Sequence, residues 1–310
     1  MGNPNFNGAT ALVASDDFLF RRRVVLALGG VWFGDVHDFA TLLDVDRAMA
    51  VVSYDLIVVG ARLGGELTSA LFARVRDGLH THHPFPVIVS LVDSSDKDLL
   101  ADVINAGPDG LLLSPIDPPA LLARVIQLAQ PRKPFIVTSD YVGPDRRRDI
   151  RPGDTAPEIA APSALVARID KVPASKIEGQ IQESRRELNA IKVERALHEL
   201  GWLNKAVAKL IAEPSSDPEK LDGYLRRLVQ IAECLPPRFQ GSASESKVGM
   251  AVDVFLQGVE GLRTQSVDAK RLTALLGALL TSILATVERA RQEMKDEHDA
   301  EATSAESPEA

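Results

Sequence analysis

Short apolar runs alternate with helical stretches over residues 11–128. The runs rich in β-branched residues predict strands at 10–15, 55–59, 86–91 and 110–113, with a further strand near 30–36. The stretches between them, with apolar residues at helical spacing, predict helices at 18–28, 66–77, 96–105 and 118–129. Strands that alternate with helices form a parallel sheet covered on both faces. We therefore expect a doubly wound α/β domain with a parallel five-stranded sheet over residues 1–130.

The pattern changes to long amphipathic helices after residue 173. Four stretches with apolar residues at helical spacing predict helices at 175–212, 218–235, 245–262 and 268–296. We therefore expect an all-α helical bundle over 174–297. Residues 272–287 carry no charge, but this run is shorter than the roughly 18 residues of a bilayer span, so a core helix is expected. The broad apolar faces of the last two helices predict a homodimer.

Residues 131–173 are rich in proline, glycine, aspartate and arginine, which predicts an extended, partly ordered linker. Within it lies the run YVGPDRRR. One interpretation is a docking segment, in which an aromatic anchor and guanidiniums clamp carboxylates or phosphates. The other is a solvated charge run, and the sequence leaves both open. The possible docking residues are Tyr141, Arg146, Arg147 and Arg148. The small, acidic tail 298–310 predicts disorder.

Four segments of the first domain carry a recognisable order of motifs. They are LVASDD at 12–17, YDLIVVG at 54–60, PVIVSL at 86–91 and AGPDGLLLSP at 106–115. In this order they resemble the response-regulator receiver (CheY-like) family of two-component signalling. The resemblance covers about residues 11–128, a little over a third of the chain, and implies a flavodoxin-like fold. The helical region resembles no family that we recognise.

Most residues that a receiver uses for phosphorylation are replaced here. The resemblance implies an aspartate nucleophile, a hydroxyl residue, a lysine and an aromatic residue at set strand ends, with an acidic pair that helps to hold Mg²⁺. Asp16 and Asp17 match the acidic pair. Gly60 stands at the position of the aspartate nucleophile, and Leu91 stands at that of the hydroxyl residue (or Ser90 if the register shifts by one). Ser114 stands at the position of the lysine, and Leu111 at that of the aromatic residue. We therefore expect a degenerate receiver without catalytic residues or a cofactor.

The acidic pair has two interpretations. Asp16 and Asp17 could form a residual Mg²⁺ site, or they could accept backbone N–H bonds at the start of the next helix. Two carboxylates without a third ligand make a weak site for a hard cation. We therefore favour the helix-capping role and expect no metal.

Three other groups of residues have side chains that could bind a phosphoryl group, a metal or a partner. The run from His198 to Leu200 resembles the start of a histidine-kinase phosphoacceptor helix, but Trp202 stands where those kinases usually carry Thr or Asn, so we expect an ordinary histidine. We expect His80, His82 and His83 to lie in a solvated loop rather than to bind a metal. The first helix should expose at least two of its three consecutive arginines, Arg21, Arg22 and Arg23.

The charge and the cysteine content make some classes of function less favoured. The formal net charge is −8, and acidic residues also outnumber basic ones after residue 173, which disfavours nucleic-acid binding. The single cysteine, Cys234, fits a reducing compartment and is expected to be buried. We expect a cytoplasmic, non-enzymatic signalling adaptor that binds signalling proteins and itself, without nucleic acid or membrane. The alternatives are a phosphorelay enzyme, with a phosphotransfer or phosphatase bundle, and, less favoured, a transcriptional regulator.

Overall fold

The structure is a computed structural model, and it describes residues 6–31, 33–78, 83–93, 97–114, 117–146, 156–212, 217–264 and 269–305. The chain divides into two compact units, Met1–Asn189 and Ala190–Ala310. The division falls inside a long helix, α7 (Ala174–Ala212). Each unit has its own apolar core.

The first unit begins with alternating strands and helices. The strands are β1 (Thr10–Ala14), β2 (Asp35–Phe39), β3 (Leu56–Gly60), β4 (Arg62–Leu63), β5 (Glu66–Leu67), β6 (Val87–Asp93) and β7 (Gly110–Ser114). The helices are α1 (Phe18–Gly29), α2 (Leu42–Met49), α3 (Ser69–Asp77), α4 (Lys97–Asn105) and α5 (Pro118–Leu128). β4 and β5 form a small antiparallel hairpin.

Five strands form one parallel sheet in the order β2-β1-β3-β6-β7. Alternate strand residues face opposite sides, so each face has its own core. One core joins the sheet to α2, α3 and α4, and the other joins it to α1 and α5. The expected doubly wound five-stranded sheet is therefore confirmed, and its strand order is the flavodoxin-like one.

Two local predictions were wrong, and one helix was not predicted. The strand expected near 30–36 is β2, five residues further on, because Val31 and Phe33 pack into the core beside the sheet instead of joining it. The polar residues of β2 are tolerated because it is an edge strand. Helix α2, capped by Thr41, was missed. Helix α3 begins at Ser69 rather than near residue 66, because the preceding residues form the β4–β5 hairpin.

The region expected to be a linker is more ordered than a linker in its described parts. It contains β8 (Phe135–Val137), β9 (Val142–Pro144), β10 (Glu158–Ile159) and α6 (Ala164–Ile169). The strands form an antiparallel sheet in the order β10-β8-β9. Phe135, Val137, Ile159 and Leu165 are buried, and Leu165 belongs to the core shared with α1 and α5. Most of this region therefore packs as part of the first unit.

A buried ionic cluster attaches this region to the main sheet. Arg76 of α3 donates from Nη2 to Asp109 Oδ2 at 2.6 Å, and Arg132 donates from Nη2 to Asp109 Oδ1 at 2.5 Å. Asp109 Oδ2 also accepts from the N–H of Ile88 at 2.8 Å. Both guanidiniums lie over the ring of Phe135, at 4.9 and 4.7 Å from its centroid. We call Arg76, Asp109, Arg132 and Phe135 the ionic cluster.

Backbone carbonyl groups satisfy the remaining donors of the ionic cluster. Arg76 donates to the carbonyls of Pro84, Pro86 and Gly107, and Arg132 donates to those of Phe85, Pro86 and Pro162. Burial lowers the pKa of Arg76 to about 10, so it stays charged at neutral pH. Burial alone would raise the pKa of Asp109, but Arg132 and Arg76 more than offset this and hold it below its usual value. The cluster is therefore ionised when folded.

The second unit holds the end of α7, then α8 (Pro218–Glu233), a short 3-10 helix (Pro236–Phe239), α9 (Glu245–Thr264) and α10 (Ala269–Ala305). Their apolar faces meet in one core, centred on residues such as Leu200, Leu228, Phe255 and Leu280. The four-helix prediction is confirmed in its described parts. The disorder expected from residue 298 was wrong up to Ala305, where α10 ends. By length and composition alone, Thr273–Asp296 could cross a membrane.

The ionic cluster predicts a large effect of neutralising Asp109. Asp109→Asn should lower the free energy of unfolding by about 3–5 kcal/mol, because it leaves two buried guanidiniums without a counter-charge. Because the folded pKa of Asp109 is depressed, its contribution is present above the unfolded value and is lost as pH falls below about 4. Urea unfolding at pH 7 and pH 3 measures both effects.

Asp102→Asn is the matched control, since Asp102 is exposed on α4. It should change the free energy of unfolding by less than about 0.5 kcal/mol. A loss below about 1 kcal/mol for Asp109→Asn at pH 7 would contradict a structural role of the cluster.

Candidate functional site

The candidate site is the edge of the sheet where its parallel strands end, since open α/β sheets bind ligands there. β1 ends just before Asp16 and Asp17, β3 ends at Gly60, and β7 ends at Ser114. The register places Leu91 of β6 opposite Gly60. The sequence motifs are therefore brought together at one edge, as their order implied. We call it the carboxyl edge.

Both acidic side chains at this edge bind backbone N–H groups. Asp17 Oδ1 accepts from the N–H of Phe20 at 2.9 Å and so caps α1. Asp16 Oδ1 accepts from the N–H of Gly64 at 2.8 Å, in the turn of the β4–β5 hairpin. Asp17 thus has the capping role favoured from the sequence, whereas Asp16 anchors a hairpin that the sequence analysis missed.

The hairpin closes the position of Gly60, where the resemblance to receivers implies the phosphoacceptor. A Cβ atom at Gly60 would lie 2.8 Å from the carbonyl oxygen of Arg62, too close without a movement of the backbone. The carbonyl of Gly60 accepts from Thr68 Oγ1 at 2.7 Å, which holds the two ends of the hairpin segment together. Gly64 and Gly65 both have positive φ, as a two-residue hairpin turn requires. The adjacent glycines were the signal that could have predicted this turn.

The other three receiver positions lie on β6 and β7. Leu91 and Leu111 are half-buried and pack against the cores on opposite faces of the sheet. Ser114 ends β7 opposite Asp93. Ser90 is fully buried beside Val59, so the register favours Leu91 at the hydroxyl position. Leu91 and Leu111 are apolar, so neither brings a hydroxyl or ammonium group to Gly60.

Arg21 brings a buried positive charge to the carboxyl edge. Its Nε donates to Asp38 Oδ2 at 3.2 Å, and its Nη1 donates to the carbonyl of Ser15. Only 8% of Arg21 is exposed, whereas Arg22 and Arg23 are exposed, as expected for two of the three. Arg21 shares the spacing of the buried residues Val24 and Leu28 on α1, which was the available signal.

The loop that holds His80, His82 and His83 was predicted to be solvated, and this prediction fails at His83. His83 is buried and lies edge-on to Phe85, so a solvated position was wrong for this residue. Burial, together with Arg132 and Arg76, lowers the pKa of His83 to about 3, so it is neutral at physiological pH. His80 and His82 lie outside the described residues. Among the described residues, no group of three or more His, Cys, Asp or Glu side chains could hold a metal ion.

The run from Tyr141 onward docks against the first unit itself. The hydroxyl of Tyr141 donates to the carbonyl of Pro144 at 2.9 Å. Arg146 donates to the carbonyl of Pro108 and, at 3.4 Å, to that of Ile104 near the end of α4. These acceptors are backbone carbonyls, whereas the docking interpretation expected carboxylates or phosphates. Arg147 and Arg148 lie outside the described residues.

Two glycines allow this docking. A Cβ at Gly107, which has φ +80°, would collide with the carbonyl oxygen of Val142. A Cβ at Gly143 would lie 2.8 Å from the Cα of Gly107 and 2.7 Å from the hydroxyl oxygen of Tyr141. β9 therefore approaches the loop between α4 and β7 at a distance that only glycine permits. This contact lies at the amino ends of β6 and β7, the edge opposite the carboxyl edge.

Two predicted residues lie in the second unit. His198 is exposed on α7, next to Glu199, which binds Arg227 at 2.7 Å. Trp202, one turn later, is also exposed and meets Tyr224 edge-on. Cys234 is exposed just after α8, so the predicted burial was wrong. The apolar face of this region uses Ile231, Ala232 and Leu235 instead.

The part of the first unit that holds the five-stranded sheet is similar in fold to receiver domains. Solved structures similar to it include a chemotaxis response regulator of Vibrio cholerae (18% identity, TM-score 0.36), a CheY-like receiver domain protein of Methanospirillum hungatei JF-1 (16%, 0.35) and a response regulator of Thermotoga maritima (24%, 0.34). Each covers 39% of this chain and, respectively, 99%, 93% and 97% of its own. Neither a protein-family profile nor a curated protein matches the chain. The helical region has no named structural match.

The closed carboxyl edge predicts that Gly60 does not tolerate a side chain. Gly60→Ala should lower the free energy of unfolding by about 1–3 kcal/mol, because the methyl group meets the backbone of Arg62. Gly29→Ala is the matched control, since nothing lies within 4 Å of the Cβ position at the end of α1. Urea unfolding compares the two variants. Equal stability of both would show that the hairpin moves aside freely.

The docked run from Tyr141 predicts a role for Arg146 in holding it. Arg146→Ala should increase cleavage by a protease between residues 131 and 146 by about fivefold, since two charge-assisted hydrogen bonds are lost. Lys133→Ala removes the same charge from an exposed position nearby and should leave cleavage unchanged. Equal cleavage of the two variants would return the segment to a solvated charge run.

Proposed function

We propose that this protein is a non-enzymatic signalling adaptor of a two-component or phosphorelay pathway. It would act through protein–protein contacts of a receiver-like unit that is not phosphorylated. The observation that carries this proposal is the closed position of Gly60, where even a Cβ atom would meet the carbonyl oxygen of Arg62. A nucleophilic side chain is absent there, and the backbone leaves no room for one.

The electrostatics of the carboxyl edge support the same proposal. Phosphoryl transfer to an aspartate needs metal-bound oxygens and a positive group that offset the developing charge. Here Asp16 and Asp17 each accept a backbone N–H bond, and the guanidinium of Arg21 donates to Asp38 and to Ser15. These bonds hold the loops after β1 and β3 in one arrangement. A receiver-like unit held in this way would present a constant surface to its partner.

The second unit would provide self-association. Its core is complete within one copy, yet α9 and α10 also expose apolar side chains on their outer faces. The largest are Met250, Val254 and Leu275, which are 62%, 59% and 43% exposed. Exposed apolar patches on a soluble protein commonly mark interaction surfaces. The proposed adaptor is therefore a cytoplasmic homodimer that presents two receiver-like units.

A phosphorelay enzyme is the second candidate, and one observation favours it. His198 is exposed on a helix of a bundle, as a histidine that accepts a phosphoryl group must be. Against it, the bulky side chain of Trp202 occupies the next turn, and Glu199 is engaged with Arg227. We therefore rank this function below the adaptor.

Phosphorylation by small donors separates the two functions. The full chain, incubated with Mg²⁺ and with acetyl phosphate or phosphoramidate, should keep its unmodified mass, because residue 60 offers no nucleophile. Gly60→Asp should also stay unmodified, since Leu91 lacks the hydroxyl group and Ser114 lacks the positive charge that the reaction needs. Intact-mass spectrometry measures the result, and a phosphorylatable receiver domain serves as the positive control.

A stable phosphoryl group mapped to residues 11–128 would contradict the adaptor proposal. A phosphoryl group that disappears in His198→Gln would instead support the phosphorelay enzyme. His37→Gln is the control for that variant, since His37 lies in the first unit and contacts Tyr54.

A further inference from the structure

Helix α10 carries an uncharged face that its own unit leaves exposed. Residues 272–287 contain no charged side chain. Leu276, Leu280, Ile283 and Val287 face the core and are at most 1% exposed. The opposite side of the same turns is exposed, although the outer face of a helix in a soluble bundle is ordinarily charged.

Six of the exposed residues on that side follow a heptad. They are separated by three, four, three, four and three residues, the spacing that places side chains on one seam of a helix–helix pair. We call them the outer seam: Arg271, Ala274, Ala278, Thr281, Ala285 and Glu288. The only hydroxyl among them, that of Thr281, donates to the carbonyl of Gly277 at 2.8 Å. The middle of the seam therefore presents methyl groups and no unsatisfied donor.

Neighbouring apolar side chains widen the surface. Leu275, on α10 beside the seam, is 43% exposed. α9 packs closely against α10, because Leu279 occupies the space that a Cβ of Gly258 would need. Val254 lies one turn before Gly258 on α9 and is 59% exposed. By length and composition Thr273–Asp296 could cross a membrane, yet most of this stretch is not buried within its own unit.

The two ends of the outer seam indicate what covers it. Arg271 and Glu288 are equally far along the helix from the point between Leu279 and Leu280. When a second copy of the helix runs antiparallel about that point, Arg271 of each copy therefore lies opposite Glu288 of the other. Ala274 then meets Ala285, and Ala278 meets Thr281. A parallel pair would instead place Arg271 against Arg271 and Glu288 against Glu288. The seam is thus complementary to itself in one orientation only.

We propose that the outer seam of α10 binds the outer seam of a second copy, antiparallel, about a two-fold axis between Leu279 and Leu280. The proposal rests on the proposed self-association of the helical unit and specifies its interface. Glu288 binds Arg291 of its own helix at 2.6 Å but stays 53% exposed, so its carboxylate can accept a second guanidinium. Exposed ion pairs contribute little affinity, so this pair sets orientation while apolar contact provides binding.

A second copy explains the surface better than a lipid bilayer does. The core side of α10 is already covered by the other helices of its unit, so the helix cannot present apolar residues all round. A two-fold contact also gives every seam residue a partner by symmetry. The alanines allow the two helix axes to approach closely, since interaxial distance depends on the side chains at the contact.

Disulfide trapping tests the orientation. The experiment uses the full chain with Cys234→Ser, because Cys234 is exposed. In an antiparallel pair, two copies of residue 278 are offset by about 4–5 Å along the axis, and two copies of residue 274 by about 16 Å. Ala278→Cys should form a disulfide-linked dimer on mild oxidation, whereas Ala274→Cys and Ala285→Cys alone should not. A mixture of the Ala274→Cys and Ala285→Cys variants should form a disulfide-linked dimer after subunit exchange, because residues 274 and 285 face each other in the antiparallel pair.

Sedimentation equilibrium tests whether the seam drives assembly. Ala278→Glu should weaken the dimer by at least about tenfold, which corresponds to roughly 1.4 kcal/mol. Ala212→Glu, at an exposed position at the end of α7, should leave it unchanged. Arg271→Glu should weaken the dimer by placing two carboxylates together, and adding Glu288→Arg should restore it. Circular dichroism confirms that each variant keeps its helices.

The other outcomes overturn the proposal in distinguishable ways. Cross-linking of Ala274→Cys as readily as Ala278→Cys would show a parallel pair. A dimer that Ala278→Glu leaves intact would place self-association on another face, so that only this interface fails. A monomer at every concentration would remove both the interface and the proposed self-association, while the phosphorylation test stays independent. A monomer that binds phosphatidylcholine vesicles through Ala278 would assign the face to a membrane surface.

Discussion

The ionic cluster of Arg76, Asp109, Arg132 and Phe135 is the constraint on which the first unit depends. Asp109 receives two guanidiniums and the N–H of Ile88, so it joins α3 and the amino ends of β6 and β7 to the segment after α5. Its desolvation is costly unless every partner is present. Because Arg132 and Phe135 come from the segment once expected to be a linker, that segment completes the domain rather than merely following it. The close glycine contact between residues 107 and 143 forms beside this cluster.

The two edges of the sheet differ in the interactions that hold them. In a phosphorylated receiver the carboxyl edge changes state, because a phosphoryl group and a metal ion alter its charge. Here that edge is held by backbone N–H groups that donate to Asp16 and Asp17, by the hydroxyl of Thr68 that donates to the carbonyl of Gly60, and by the closed hairpin over Gly60. The amino edge carries the ionic cluster and the added strands. The closed edge at Gly60 is thus accompanied by an attached segment at the opposite edge, which favours a unit with one stable surface.

The sequence predicted the sheet because its core strands are dense in β-branched residues and its helices are amphipathic. It predicted which motifs meet at the carboxyl edge, since parallel strands all end there. It could not predict β2, whose polar residues are acceptable only at an edge, nor the hairpin that uses Asp16. It also missed the buried charges, because isolated Arg and Asp residues look like surface residues until their partners are known. Arg132 and Asp109 are 23 residues apart, and no local pattern links them.

Helix α10 has two apolar faces, and the sequence pattern predicted the role of only one of them. Periodicity alone identified this helix as a core helix, and its inner face does form the core through Leu276, Leu280 and Ile283. A core helix of a monomer needs only one such face, and the charge that normally marks the other is missing for four turns. What sequence pattern cannot show is which residues remain exposed after folding. Once the exposed set is known, its heptad spacing and the opposite charges at its ends restrict the covering element to a helix that runs antiparallel, and the chain's own α10 meets that requirement residue by residue.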